Sequence, residues 1–410
     1  MIRTSKVLQA LIVALVAAPC SAGAQTPAPA PGLTVAGAIQ RAMEANPSIA
    51  AARLQRPIDV AGVAVASERP NPELVYEASK ETPRQSFAAS LPIELGGKRD
   101  RRIDLANATM AVGEAELAQL IVQVRNDVRR AYFEAVAAEA RVQISQDVRD
   151  LAQRARDAAN SRVTAGDVPQ SDLTQADLAL AIGDSDLAAA RGEVVATRAE
   201  LNALLGQPVE TPFTFADTLA GGVLPTMQAA VAEATSVNAD VQLIDRRIAE
   251  QQAKIGLARA MKIPDLAPGG AFTYDAEPEF KYGWRVNFGI TLPVFTTHKA
   301  GVVVEEATLA RLQREREATV AQLSGGIAAA LARAGAAREQ ANSYQTTILP
   351  LAQESERQAQ AAYAGGQIGL PVLVQSLQTA RETRQRGLDA GLAYQRALSD
   401  LEKAIGAVAK

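Results

Sequence analysis

The chain has 410 residues and a formal charge of −3, which excludes a strongly basic nucleic-acid binder. Hydrophobic residues make up 48% of it but aromatic ones only 4%, so its apolar content is largely alanine, valine and leucine. Alanine is the best helix former, and the composition points to long, closely spaced helices rather than a large aromatic core.

The first element in chain order is a secretory signal over residues 1–24. Arg3 and Lys6 form its positive start, residues 7–18 are apolar, and Ala22-Gly23-Ala24 before Gln25 fits a small-x-small cleavage site. The apolar run is too short to span a bilayer as a helix. A Pro-rich tail follows over residues 25–32. Cys20, the only cysteine, lies inside the signal, and Pro19 stands where lipoprotein signals carry Gly, Ala or Ser. One cysteine also excludes a disulfide framework. Nowhere else are there about 18 consecutive apolar residues, so a membrane-embedded mature chain would have to cross as strands.

Beyond the tail the chain is written twice. Gly166-Asp167-Val168 and Leu173 match Gly366-Gln367-Ile368 and Leu373. Phe87, Leu91 and Pro92 match Phe288, Leu292 and Pro293, and Asn46 matches Asn238. The offset stays close to 200 and the order is kept. Two repeats are read, 33–208 and 225–410, joined by a linker at 209–224.

Each repeat opens with an amphipathic helical stretch, 35–53 and 227–261, and a Pro-rich break. Strands are expected at about 72–79 and 85–94, then at about 269–276 and 282–294, with turns around Thr82-Pro83 and Pro278-Glu279. In the last strand Trp284, Val286, Phe288, Ile290, Leu292 and Val294 alternate with Arg285, Asn287, Gly289, Thr291 and Pro293. Period-two alternation places the two sets on opposite faces. Phe87 and Leu91 make a weaker apolar face in the first repeat. The pattern fits a lipid-facing strand, and equally the half-buried sheet of a soluble domain. Four strands cannot close a barrel, and open edges are not tolerated in hydrocarbon, so the membrane reading requires several chains.

Long helical hairpins follow, at about 98–206 and 298–408. Leu117, Ile121, Val124, Val128, Ala131, Ala135, Ala138 and Val142 step by alternating four and three residues, which is heptad spacing. The run from Lys98 to Val163 would be ~100 Å long as one helix. A single turn at Gly166, Asp167 and Val168 interrupts the first hairpin; Gly ends the outgoing helix, and Asp is expected to cap the returning one. Gly366, Ile368 and Leu370 mark the second turn.

Residues that could carry chemistry are few. The mature chain has one histidine, His298, and no cysteine, so neither a clustered transition-metal site nor a Ser/His/Asp triad can be assembled. No enzyme and no cofactor are expected. Gly96-Gly97-Lys98 is not a phosphate loop, because Pro92 and Arg99 occupy positions that need Gly and Ser or Thr. The basic run Lys98, Arg99, Arg101 and Arg102 reads as a solvated cluster where strand passes to helix, or as a headgroup contact at a membrane boundary. Asp167 and Asp172 read as helix-capping residues, and would favour cations if the turns ring a pore mouth.

Signal, duplicated strand hairpin and giant helical hairpin, Ala45-Asn46-Pro47 and the Leu-Pro transitions at Pro92 and Pro293 together resemble the outer-membrane factors, the TolC-like proteins. The stretch Leu91-Pro92-Ile93-Glu94-Leu95-Gly96-Gly97-Lys98-Arg99 resembles their CzcC-like cobalt–zinc–cadmium resistance branch. The resemblance implies a mainly α fold with membrane β. It would be a homotrimer whose 12-stranded β-barrel, four strands per protomer, continues into a long periplasmic α-helical barrel. It implies a passive outer-membrane channel of a tripartite efflux system, carrying divalent heavy-metal cations. Its partners would be outer-membrane lipid, a periplasmic membrane-fusion adaptor and an inner-membrane RND-type pump, with no nucleic acid. Trp284, Val286, Phe288, Ile290, Leu292, Val294, Phe87 and Leu91 would face lipid. Pro92, Gly96, Gly97, Lys98, Arg99 and Pro293 would form the strand-to-helix transition. Gly166, Asp167, Val168, Asp172, Gly366, Ile368 and Leu370 would form the periplasmic tip that meets the adaptor. Two alternatives stay open: the same duct exporting drugs or polypeptides, and a periplasmic coiled-coil scaffold outside the membrane.

Overall fold

A computed structural model describes residues 32–278 and 280–406; the segment read as an export signal, Cys20 and most of the Pro-rich tail lie outside them. The first repeat runs α1 (Val35–Ala45), α2 (Pro47–Arg53), α3 (Gln55–Ala66), β1 (Glu73–Ala78), β2 (Gln85–Ser90), α4 (Lys98–Ala165) and α5 (Gln170–Leu204). The second runs α6 (Met227–Val237), α7 (Ala239–Ala260), β3 (Leu266–Ala276), β4 (Phe280–Ile290), α8 (Lys299–Ser343), a π turn (Tyr344–Ile348), α9 (Leu349–Ala364) and α10 (Leu370–Ile405).

The opening helical stretch is broken at Asn46, whose extended backbone (φ −62°, ψ 125°) ends α1 and starts α2. Pro47 explains the break, because a residue before proline is pushed out of the helical region. Asn46 Oδ1 accepts from the N–H groups of Ser48 and Ile49 at 2.9 and 3.2 Å, and its Nδ2 donates to the Leu204 carbonyl at 2.8 Å. Asn238 has the same backbone angles, accepts from Asp240 and Val241, and donates to the Ala404 carbonyl at 3.0 Å. Each repeat is therefore stitched from its start to the end of its own returning helix. The side chain satisfies helix-end groups that have no partner within the helix.

The second outgoing helix carries an interruption that the glycine pattern does not announce. Pro350 has no N–H, so an unbroken α ladder would leave the Thr346 carbonyl without its donor. The chain forms the π turn Tyr344–Ile348 immediately before it, a common way to absorb such a defect.

Of the heptad residues, Val124, Val128, Ala131, Ala135 and Ala138 are buried in α4. The main core gathers the first four of them with Leu33, Ala38, Ala42, Ile49, Leu201 and Leu205, and with Leu392 of the second repeat. The segment read as a linker is part of this core. Phe213, Phe215 and Leu219 pack on it, and Leu33 and Phe215 form a parallel bridge. At its centre Tyr132 is fully buried, donates its O–H to the Leu33 carbonyl at 2.6 Å and accepts from the Asp217 N–H at 3.3 Å.

Burial pushes the Tyr132 phenol up to about 12. The folded state holds the protonated form, so this contribution is intact below the unfolded value near 10 and is lost as pH rises through 12. Denaturant titrations from neutral pH to pH 12 are expected to show a loss of about 2–3 kcal/mol over that window, absent in Tyr132→Phe.

The strands form one antiparallel sheet in the order β1-β2-β3-β4, in which β2 pairs with β3 and so joins the two repeats. Their limits differ from the sequence expectation. β3 begins three residues earlier, at Leu266, and β4 ends at Ile290, leaving Leu292, Pro293 and Val294 beyond the strand. β2 ends at Ser90, since Pro92 has no N–H for the ladder; only Leu91 and Ile93 bond onward to β3, through the Pro268 and Leu266 carbonyls.

Candidate functional site: the sheet, the strand-to-helix junction and the hairpin tips

Residues opposite one another in a sheet share a face, so the register assigns the two sides. Tyr76, Phe87, Phe272 and Trp284 are successive partners and make an aromatic row across all four strands. Leu74, Ala89, Gly270 and Val286 form the row on one side of it, and Tyr274 and Tyr282 extend it on the other. The Phe288 and Ile290 side chains continue this face of β4. The opposite face carries Glu77, Ser86, Thr273 and Gly283 in one row, and Glu73, Ser90, Gly269 and Asn287 in another.

Among the described residues no helix covers either face. All six residues of β1 are exposed, as are ten of the eleven in β4, and Trp284 is 82% exposed. A half-buried soluble sheet would hide its apolar side, and this one does not. Leu292, Val294 and Phe295 prolong the exposed apolar surface past the end of the strand.

The junction from β2 into α4 depends on two consecutive left-handed glycines, Gly96 (φ +73°) and Gly97 (φ +69°). A Cβ on Gly96 would stand 2.5 Å from Ile263 Cδ1. Of the basic run after them only Arg101 stays exposed, beside Asp104; Lys98, Arg99 and Arg102 are not solvated ions. The Lys98 side chain is 6% exposed, and its Nζ pairs with Asp265 Oδ2 at 2.7 Å. Burial works against the Asp265 charge, but Lys98 and the Leu95 N–H outweigh it and hold the carboxyl below the usual carboxylate range. Arg99 donates to the Ser67 carbonyl at 2.6 Å, and Arg102 to the Glu68 carbonyl at 2.9 Å and to Glu94. These arginines bind the carbonyls at the end of α3, where a helix dipole favours cations. A sequence shows the charges of this run but not their partners.

At the tips, Gly166 (φ +82°) closes α4 in the left-handed conformation and Gly366 (φ +72°) follows α9. Asp167 caps nothing: Pro169 is the residue before α5, and no side chain caps that helix. Gly166, Asp167 and Gly366 are exposed, while Val168, Asp172 and Ile368 are half-buried. Leu370 is only 1% exposed, in a core with Leu151, Ala159, Ala176, Tyr363, Leu373 and Leu377 that joins the two hairpins. Its side chain is therefore not on the tip surface. The Arg162 guanidinium lies over the Tyr363 ring at 5.2 Å, and Arg381 pairs with Asp186 at 2.6 Å, tying the same hairpins from outside the core. The heptad pattern hid these contacts, because they join residues about 200 positions apart.

Among the described residues no helix is long and apolar enough to cross a membrane, and no three His, Cys, Asp or Glu side chains are placed to hold a metal. His298 is exposed at the start of α8 (φ 55°).

A model of a family described as outer membrane efflux protein matches residues 38–207 and again 230–407. The cobalt-zinc-cadmium resistance protein CzcC of Cupriavidus metallidurans is 28% identical over 383 residues, 91% of this chain and 90% of that protein. The nickel-cobalt-cadmium resistance protein NccC of Alcaligenes xylosoxydans xylosoxydans is 25% identical over 53% of this chain and 49% of its own length. Among solved structures, the transmembrane channel protein CusC superposes with a TM-score of 0.74 at 19% identity, covering 90% of this chain and 91% of that one.

Proposed function

The chain belongs to the outer membrane efflux protein family, and it is an outer-membrane component of an efflux system. From that premise we propose that it is the passive duct of a tripartite pump exporting divalent heavy-metal cations. The observation that carries the duct is the sheet, apolar on one side, mostly polar or small on the other, covered on neither among the described residues and open within one chain along β1 and β4. In hydrocarbon the unpaired edge groups must find partners, which β4 and β1 of neighbouring copies supply. Three copies close a 12-stranded barrel, with the aromatic row toward lipid and Glu73, Glu77, Arg285 and Asn287 toward water.

The helices support the same assembly. Within one chain α4 packs against α3 of its own repeat and also against α7 of the other, whereas α8 packs against α6, α7 and α10, all of its own repeat. On α3, Leu54, Ile58, Ala61 and Val65 recur at spacings of four and three, all exposed, and none of that helix is buried. This is the seam of a helix lacking its partner, and α8 of the next copy occupies the corresponding place. Ile58→Asp is expected to shift detergent-solubilised protein from trimer to monomer in light-scattering chromatography, at a cost of about 1–3 kcal/mol per seam. An unchanged trimer would remove α3 from the interface.

The tips at Gly166, Asp167, Val168 and Gly366 meet a periplasmic membrane-fusion adaptor above an inner-membrane RND-type pump, and Leu370 stiffens the tip from inside. Metal cargo is supported by the similarity to CzcC and NccC, both resistance proteins for such ions. Deleting the gene is expected to lower tolerance of cobalt, zinc and cadmium while leaving growth on dyes and antibiotics unchanged. Lost drug tolerance with intact metal tolerance would keep the duct and reject the cargo.

A further inference from the structure

Where α4 crosses α10, beside α1, a cavity of about 20 Å³ opens between helices from different repeats. Its polar lining is Arg125, Asn126 and Arg129 from α4, and Ser399, Glu402 and Lys403 from α10. Three of these side chains are cationic and Glu402 is the only carboxylate among them. That carboxylate is already engaged, since Arg129 Nη1 donates to both of its oxygens at 2.9 and 3.0 Å. Asn126 is spent on the Ser399 carbonyl and hydroxyl. The Arg129 Nε–H is buried and has no acceptor among the described residues.

We propose that this cavity is a binding site for one halide-sized anion, held by the Arg129 Nε–H and balanced by Arg125 and Lys403. The volume admits a single atom-sized occupant, since a water needs roughly 10–15 Å³ measured this way, so phosphate and sulfate are excluded by size. Charge favours an anion over water, because the buried Arg129 Nε–H and the half-buried Arg125 guanidinium are costly unless something negative meets them, and Lys403 adds a charge at the exposed rim. Burial pulls the Arg125 guanidinium below its ordinary value, with Glu402 opposing and Arg129 adding to the effect, as expected of under-compensated positive charge.

The internal repeat offers a comparison. The core residues Val128, Ala131 and Ala135 of α4 line up with Ile327, Ala330 and Ala334 of α8, which sets Ser324, Gly325 and Ala328 opposite Arg125, Asn126 and Arg129. Those three are exposed and uncharged, so the second repeat has no counterpart of this cluster. An anion here ties the outgoing helix of the first repeat to the returning helix of the second, close to the Asn238 stitch.

The test uses the full-length protein in detergent, crystallised with sodium bromide and measured at the bromine absorption edge. An anomalous peak in the cavity is expected for the wild type and not for Arg125→Gln. Chloride-35 relaxation in solution should show affinity roughly tenfold or more weaker in that variant. A cavity holding only water, or filled by the chain's own C-terminal carboxylate, would overturn the proposal. So would a peak that needs near-molar bromide and survives Arg125→Gln, which marks an adventitious ion. The wild-type crystal answers the question even if the variant fails to fold.

Discussion

Phe288→Arg is expected to abolish outer-membrane assembly, while Asn287→Arg, one residue away, is expected to leave it intact. The side chains of these neighbours lie on opposite faces of β4, Phe288 with the aromatic row and Asn287 with the polar rows. If the aromatic side faces lipid as proposed, an arginine near the bilayer midplane costs about 2–4 kcal/mol, and the proposed trimer incurs it three times. On the water side it adds a charge beside existing ones and changes selectivity rather than stability. Outer-membrane fractionation, heat-modifiable migration and metal tolerance of the two strains would report the difference. Equal behaviour of the two variants would contradict a lipid face on this sheet.

Gly206→Ala should be the most damaging of the turn substitutions, and Gly166→Ala a mild one. Both glycines sit just after a long helix at positive φ, +66° and +82°, so each alanine meets backbone strain of about 1–2 kcal/mol. At Gly166 a Cβ meets nothing within 4 Å. At Gly206 it would stand 2.2 Å from the Ala45 carbonyl oxygen, which is backbone and is held in place by the Asn46 stitch. Overpacking of that kind adds about 1–3 kcal/mol. Denaturation midpoints of the two variants should therefore differ clearly, with Gly206→Ala lower. A similar loss at both would mean that strain alone matters and that the contact with Ala45 relaxes freely.

The two cases also show what is legible in one chain. Each glycine is visible in the sequence as a helix terminator, and the internal repeat pairs Gly206 with Gly406. Nothing in the sequence says that one terminator is packed against backbone and the other faces open space. The same limit explains the strand-to-helix junction. Lys98 and Arg99 are conspicuous as charges, but their reading as solvated ions fails because Asp265 and the end of α3, far away in sequence, fold onto them. Leu370 fails similarly. It follows a glycine turn at the tip, yet the other hairpin covers it. Glu402 and Arg129 are separated by 273 residues, and no periodicity links them.

What the sequence by itself determined is local or repetitive. Heptad steps make long helices, period-two alternation makes a two-faced strand, glycine and proline place most of the turns, and the duplicated order makes a quasi-symmetric chain. These follow from backbone preference and from side chains that lie within a few positions of one another. Only the tertiary structure decided that within one chain no described element covers the sheet, that its outer edges are left for other copies, and that the segment between the repeats is core. It also decided which cations are paired and which crowd one small cavity. Those outcomes depend on which distant surfaces meet, and meeting is set by packing across about 200 residues rather than by any pattern along them.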